Sequence, residues 1–109
     1  MSGVVKLSVC KNKYTIDSAN GETSKQLATG GGNELVAVVV TGGTGDIVVS
    51  VHDSAEGVGS PNQAQYFGAN QGESVPFTPG HPILMKKGIY VQIEQGGSPF
   101  NGKVTLYYN

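Results

Sequence analysis

Apolar side chains in this chain return at every second position, the spacing of a strand with one buried and one wet face. Ile89, Val91 and Ile93 alternate with Tyr90, Gln92 and Glu94, and Val104, Leu106 and Tyr108 alternate with Thr105 and Tyr107. Val5, Leu7 and Val9 enclose Lys6 and Ser8, while Tyr14 and Ile16 sit among Lys13, Thr15 and Asp17. Ile47, Val49 and Val51 share a further such face. A helix would scatter this pattern around its axis. The 17 glycines and 5 prolines oppose helix as well, because they disfavour helix interiors by about 1 and 3 kcal/mol respectively. The chain therefore predicts an all-β fold, an antiparallel β-sandwich or jelly roll, with eight to ten short strands at spacings of about ten residues.

Turn residues punctuate the pattern. Asn20-Gly21 accepts the positive φ of a tight turn. Glycines 30–32 and the Thr41-Gly42-Gly43-Thr44-Gly45-Asp46 stretch bound residues 35–40, which are apolar at both parities. Residues 35–40 and 47–51 are expected to form a hairpin. Residues 52–63 read as a long loop, 65–68 as a short strand, and 74–77 as an edge strand or strand end, because Pro76 cannot donate to a ladder. A bend at Pro79-Gly80-His81-Pro82 precedes a short apolar stretch at 83–85. At 109 residues the chain is one domain, 1–109, with residues 1–33 in part an extended arm.

Charge names no partner: the net charge is −1 and every basic residue is a lysine. Without Arg, the residue of bidentate phosphate and guanine contacts, nucleic acid is not an expected partner. The apolar run at 35–40 is too short to span a bilayer, and residues 1–13 have no signal-peptide pattern. Synthesis in a cytoplasm is the expectation. Cys10, the single cysteine, shares the parity of Lys6 and Ser8 and is expected to be a partly exposed or interface thiol.

No constellation carries chemistry. The Gly42–Gly45 stretch lacks the Lys-Ser/Thr and the following helix of a phosphate loop, so it reads as a turn. His52, Asp53 and Ser54 are residue types of a hydrolytic triad, but neighbours on a strand point to opposite faces. His52, His81 and Cys10 match no metal-ligand spacing. The five tyrosines are scattered and Trp is absent, which argues against a sugar platform. The expected catalytic, cofactor and metal sites are none, and no small-molecule substrate is expected.

Three blocks carry a resemblance. They are Val38-Val-Val-Thr-Gly-Gly-Thr-Gly-Asp-Ile-Val-Val-Ser-Val-His-Asp-Ser54, Pro82-Ile-Leu-Met-Lys-Lys-Gly-Ile-Tyr-Val-Gln-Ile93 and Gly102-Lys-Val-Thr-Leu-Tyr-Tyr108. In order and spacing they resemble small bacteriophage virion β-sandwiches, including capsid decoration and cement proteins. The resemblance covers about the last two thirds of the chain and rests on strand and turn patterns. It implies a structural virion protein on the capsid surface, without catalysis, whose partners are the major capsid protein and copies of itself as a dimer or trimer. A tail, baseplate or head-fibre module is the alternative within virions, and a carbohydrate-binding module the alternative outside them. Residues 35–40 need cover on two faces, which either the N-terminal segment folding back or another subunit supplies; if a subunit does, Val38 and Val39 are interface candidates, together with the outward tyrosines Tyr90 and Tyr107.

Overall fold

The computed structural model describes residues 10–58, 64–95 and 102–109. Among them are nine strands and no α-helix: β1 Asn12–Asp17, β2 Ser24–Ala28, β3 Asn33–Thr41, β4 Ile47–His52, β5 Ala64–Ala69, β6 Ser74–Phe77, β7 Ile83–Met85, β8 Ile89–Gln95 and β9 Lys103–Tyr108. All pairings are antiparallel and form two sheets. Sheet A runs β1-β9-β3-β6, with β7 beside β6 on the same flank of β3. Sheet B runs β2-β8-β4-β5.

One core lies between the sheets. Sheet A contributes Ile16, Leu35, Val38, Val40, Val104 and Leu106, and sheet B contributes Ile47, Val49, Val51, Ile89, Val91 and Ile93. Those from β4, β8 and β9 are the inward residues that the alternation of these three strands predicts. The face-to-face packing removes both apolar faces from water at once, the stable solution for sheets with one apolar face each.

The expected hairpin of residues 35–40 and 47–51 is absent. β3 lies in sheet A and β4 in sheet B, and the chain crosses between sheets through residues 42–46. The reason is burial. Both strands carry a full apolar face, and placing them in opposite sheets lets those faces meet across the core. Gly42 allows the crossing to be tight: a Cβ there would overlap the Asn70 carbonyl oxygen. None of Gly42, Gly43 and Gly45 adopts positive φ, so close approach, not a left-handed turn, is what glycine supplies at the start of this crossing.

The Asn20-Gly21 turn likewise connects sheets instead of closing a hairpin. A 3-10 turn at Ser18–Asn20 is capped by Asp17, whose side chain accepts from the Ala19 N–H, and Gly21 ends it at φ 81°. Ser18 fastens the turn to the entrance of β9: its hydroxyl donates to the Gly102 carbonyl and accepts from the Gly102 N–H, at 2.8 and 2.9 Å. Tyr14 reaches from β1 to Glu22, donating its hydroxyl at 2.7 Å. That bond, with some burial and the carboxylate's charge, raises the Tyr14 phenol above its ordinary range. Residues 12–28 thus supply strands to both sheets, and the extended-arm expectation for 1–33 does not apply to them. The strand expected at 4–9 lies outside the described residues.

Three ladders slip by one residue. On β3, Leu35 faces Tyr108 and Ala37 faces Tyr107, leaving Val36 extra. This bulge lets Leu35 and Val38 both point inward although they differ in parity. On β2 the slip falls between Gln26 and Ala28. On β8, Val48 pairs with Gln95 and Val49 with Ile93, so Glu94 is the extra residue.

Candidate interaction surface

The outward rows of sheet A follow from the register. One row runs Pro76, Val39, Thr105, Thr15, and the next runs Ala37, Tyr107, Lys13. Thr15 and Thr105 hydroxyls meet at 2.8 Å, a cross-strand pair that holds β1 to β9. Leu84 on β7 faces Glu34 and is 55% exposed. The centre of this face is therefore apolar or neutral, with Lys13, Glu34, Asp17 and Lys103 near its margins. A sheet face facing water usually carries polar side chains.

The four interface candidates separate. Val38 is 0% exposed, on the core side between Leu106 and Phe77, which removes it from the surface. Val39 and Tyr107 are half-buried neighbours on the outer face of sheet A. Tyr90 lies on the other sheet, half-buried between Gln26 and His52, its ring centroid 5.8 Å from the imidazole. β3 is thus divided: the apolar residues at both parities serve the core at Leu35, Val38 and Val40 and the outer face at Ala37 and Val39.

Beside Tyr90 sits a polar network that strand spacing conceals. Ser50 and His52 both point to the outer face of sheet B, and both are buried, at 0% and 2% exposure. The bulge at Glu94 carries its carboxylate to Ser50, which donates to it at 2.7 Å. His52 Nε2 lies 2.9 Å from the same hydroxyl. A hydroxyl has one proton and Glu94 takes it, so the imidazole donates from Nε2. His52 Nδ1 is buried with no hydrogen-bond partner among the described residues. The order is carboxylate, serine, imidazole, with serine in the middle. In a hydrolytic triad the imidazole is in the middle and receives the serine proton. Here the proton points away from His52, and the network's evident chemistry is to pin β4 to β8.

Replacing Ser50 with Ala strands the buried imidazole donor and takes a donor from Glu94. The expected loss is about 1–3 kcal/mol, read as a lower urea midpoint with unchanged slope. A midpoint equal to wild type would mean the network contributes nothing to stability.

The triplet that starts at the last residue of β4 sends its groups three ways. His52 joins Ser50. Asp53 accepts backbone N–H bonds from Lys87, Lys86 and Gly88 at 2.7, 3.0 and 3.3 Å. Ser54 accepts from the Glu56 N–H through its hydroxyl. Burial alone would raise the Asp53 carboxyl, but those three donors and the Lys87 charge outweigh it and hold it below the usual range. Gln26 secures the same loop: its amide donates to the carbonyls of Ala28, Ser54 and Ile89, and its oxygen accepts from Gly57. Cys10 is half-buried at the entrance to β1, its sulfur 2.9 Å from the Asn12 carbonyl. His81 is exposed in its bend. Among the described residues no three His, Cys, Asp or Glu side chains converge as metal ligands would.

Two features of this surface carried no local signal. Glu94 reaches Ser50 from a bulged position, and Asp53 serves backbone donors more than thirty residues away. Comparison with known proteins finds no matching family model, no matching curated protein and no matching solved structure.

Proposed function

We propose that this chain is a structural virion protein, a decoration or cement subunit that sits on the outside of a phage capsid and ties neighbouring shell subunits together. The observation that carries this reading is strand order. With the three-residue β7 set aside, the pairs β1–β9, β2–β8, β3–β6 and β4–β5 match first strand to last, second to second-last, and so inward. A long antiparallel ribbon folded over on itself produces this order, with β9 then joining β3 and β8 joining β4. That supports a jelly roll, an architecture used by viral capsid and lectin domains.

Between those uses, the outer face of sheet A favours protein docking. Val39, Ala37, Tyr107, Pro76 and Leu84 offer apolar contact area, where a sugar site needs converging polar groups. Each contact is modest, and many copies on a repeating lattice multiply weak affinities. The mechanism is mechanical: added contact area on the shell, with no catalytic residue and no cofactor.

Quantifying the protein in purified intact virions tests the reading. Hundreds of copies per particle are expected, with saturable binding that Tyr107→Lys abolishes while leaving the fold unchanged. Absence from particles, or glycan binding by the isolated protein with no capsid binding, would sink it.

A further inference from the structure

The two sheets have edge strands that differ in how they resist pairing with another chain. An unprotected edge presents free N–H and C=O groups and invites strand addition, and proteins guard such edges with charges, proline or bulges. β1 carries Lys13 and Asp17. β2 carries Lys25 and a bulge between Gln26 and Ala28. β6 carries Pro76, and β7 is three residues long and followed by two lysines. β5, Ala-Gln-Tyr-Phe-Gly-Ala, has no charge, no proline and no register slip along its six pairs with β4.

β5 also borders apolar surface left in the open. Between β5 and β6 is a cleft of about 230 Å³ lined by Val40, Tyr66, Phe67, Gly68, Val75 and Phe77. Tyr66 at its rim is 62% exposed and Phe77 44% exposed, with Phe77 set edge-on against Phe67 at 5.0 Å. A second opening of about 370 Å³ lies at the other end of β5, where Val51, Ala64 and Gln65 face Leu35, Ile83 and Met85.

We infer that β5 is a self-association edge, along which a second copy of this chain adds its own β5 antiparallel across a two-fold axis near Tyr66. Charge selects that occupant. Beyond the Ala64 end of β5 lie the exposed Lys86 and Lys87, with Asp53 between them and the strand already occupied by three backbone donors. At the Ala69 end lie the exposed carboxylates of Asp46 and Glu73, anchored on the Gln71 and Asn70 N–H groups. A two-fold axis through β5 brings the lysine end of each copy to the carboxylate end of the other. The neutral middle meets itself, which a charged strand could not do without like-charge repulsion. The same axis brings the two β6 sides together, so Phe77 and Val75 approach their symmetry mates over the clefts, while Tyr66, opposite Ser50, meets its own mate on the outer face of sheet B. Backbone pairing supplies affinity and the flanking apolar groups supply register.

This inference goes beyond the shell reading. It leaves the outer face of sheet A free for a capsid and moves self-association from residues 35–40 to β5. The two fail separately, since one is read on particles and the other on the isolated protein.

Sedimentation velocity on the purified full chain tests it, with Tyr66→Lys and Tyr66→Glu as variants and thermal melts as the fold control. Tyr66 is largely solvated, so both variants keep the wild-type melt once dimerisation is allowed for. Wild type sediments as a dimer, more tightly at low salt because the end charges are screened less. Each variant alone is a monomer, its dimer weakened on the order of 100-fold, the scale of like charges set against each other in an interface. An equimolar mixture of the two restores the dimer, because the ammonium introduced on one copy then meets the carboxylate introduced on the other across the axis. A monomeric wild type at all concentrations, a dimer that survives Tyr66→Lys, a mixture that stays monomeric, or open-ended oligomers in place of a dimer would each overturn the inference.

Discussion

Val38→Lys unfolds the domain, whereas Val39→Lys leaves it folded. The two residues are chain neighbours with opposite fates. Val38 is fully buried between Leu106 and Phe77, in the core shared by both sheets. An ammonium placed there either loses its proton or loses its hydration. Fully buried lysines have pKa values lowered by up to about 3–5 units; a lysine shifted below pH 7 gives up its proton, so the cost at neutral pH is about 4–5 kcal/mol. The lost valine burial adds about 1.5–3 kcal/mol. Together these rival the whole stability of an ordinary domain, about 5–15 kcal/mol. Val39 faces outward beside Thr105 and Pro76, where a lysine stem can lie along the sheet with its charge in water. Its expected cost is under about 1 kcal/mol, and under the proposed shell function it also removes docking to the capsid. Thermal melts followed by circular dichroism decide the matter. Equal unfolding of both variants would show that the outer face of β3 is misassigned.

Asp53→Ala costs about 2–3 kcal/mol at neutral pH, since hydrogen bonds to a charged acceptor are stronger than neutral ones. The carboxylate gathers the N–H groups of Lys86, Lys87 and Gly88 and joins the exit of β4 to the turn before β8. Asp53→Asn retains one acceptor oxygen and recovers part of the loss. The effect depends on pH in a defined direction. The folded carboxyl titrates below its ordinary range, so its contribution is fully present above the unfolded value and disappears as pH falls through the folded one. Urea midpoints of wild type and Asp53→Ala should therefore differ near pH 7 and converge toward about pH 2. A difference of the same size at both ends would assign the loss to packing and not to the charge.

The chain's alternation determined a great deal without any tertiary information. It named the inward residues of β4, β8 and β9, because one face of each strand must leave water and period two leaves no choice of which. It placed β6 and β7 between turn residues, and it kept Pro76 to an edge, because a missing N–H breaks a central ladder. What alternation does not contain is the identity of a strand's partner. β3 and β4 each read as a strand with a full apolar face, and that reading is the same whether they pair in one sheet or oppose each other across a core. Only the packing of the whole chain decided for opposition: β9 pairs with β3 and β8 with β4, and the two apolar faces then meet in the core between the sheets. The bulges were hidden for a related reason. In the run from Leu35 to Val40 both parities are apolar, so a one-residue slip at Val36 changes nothing in the pattern while reversing which side chains are inside. At Glu94 a slip of the same size accompanies a bond between its exposed carboxylate and Ser50, so a network that buries Ser50 and His52 forms from residues that look like a solvated strand face. Asp53 shows the remaining limit: its three partners lie more than thirty residues away, and a hydrogen bond over that separation exists only after the fold has brought the backbone donors to the carboxylate.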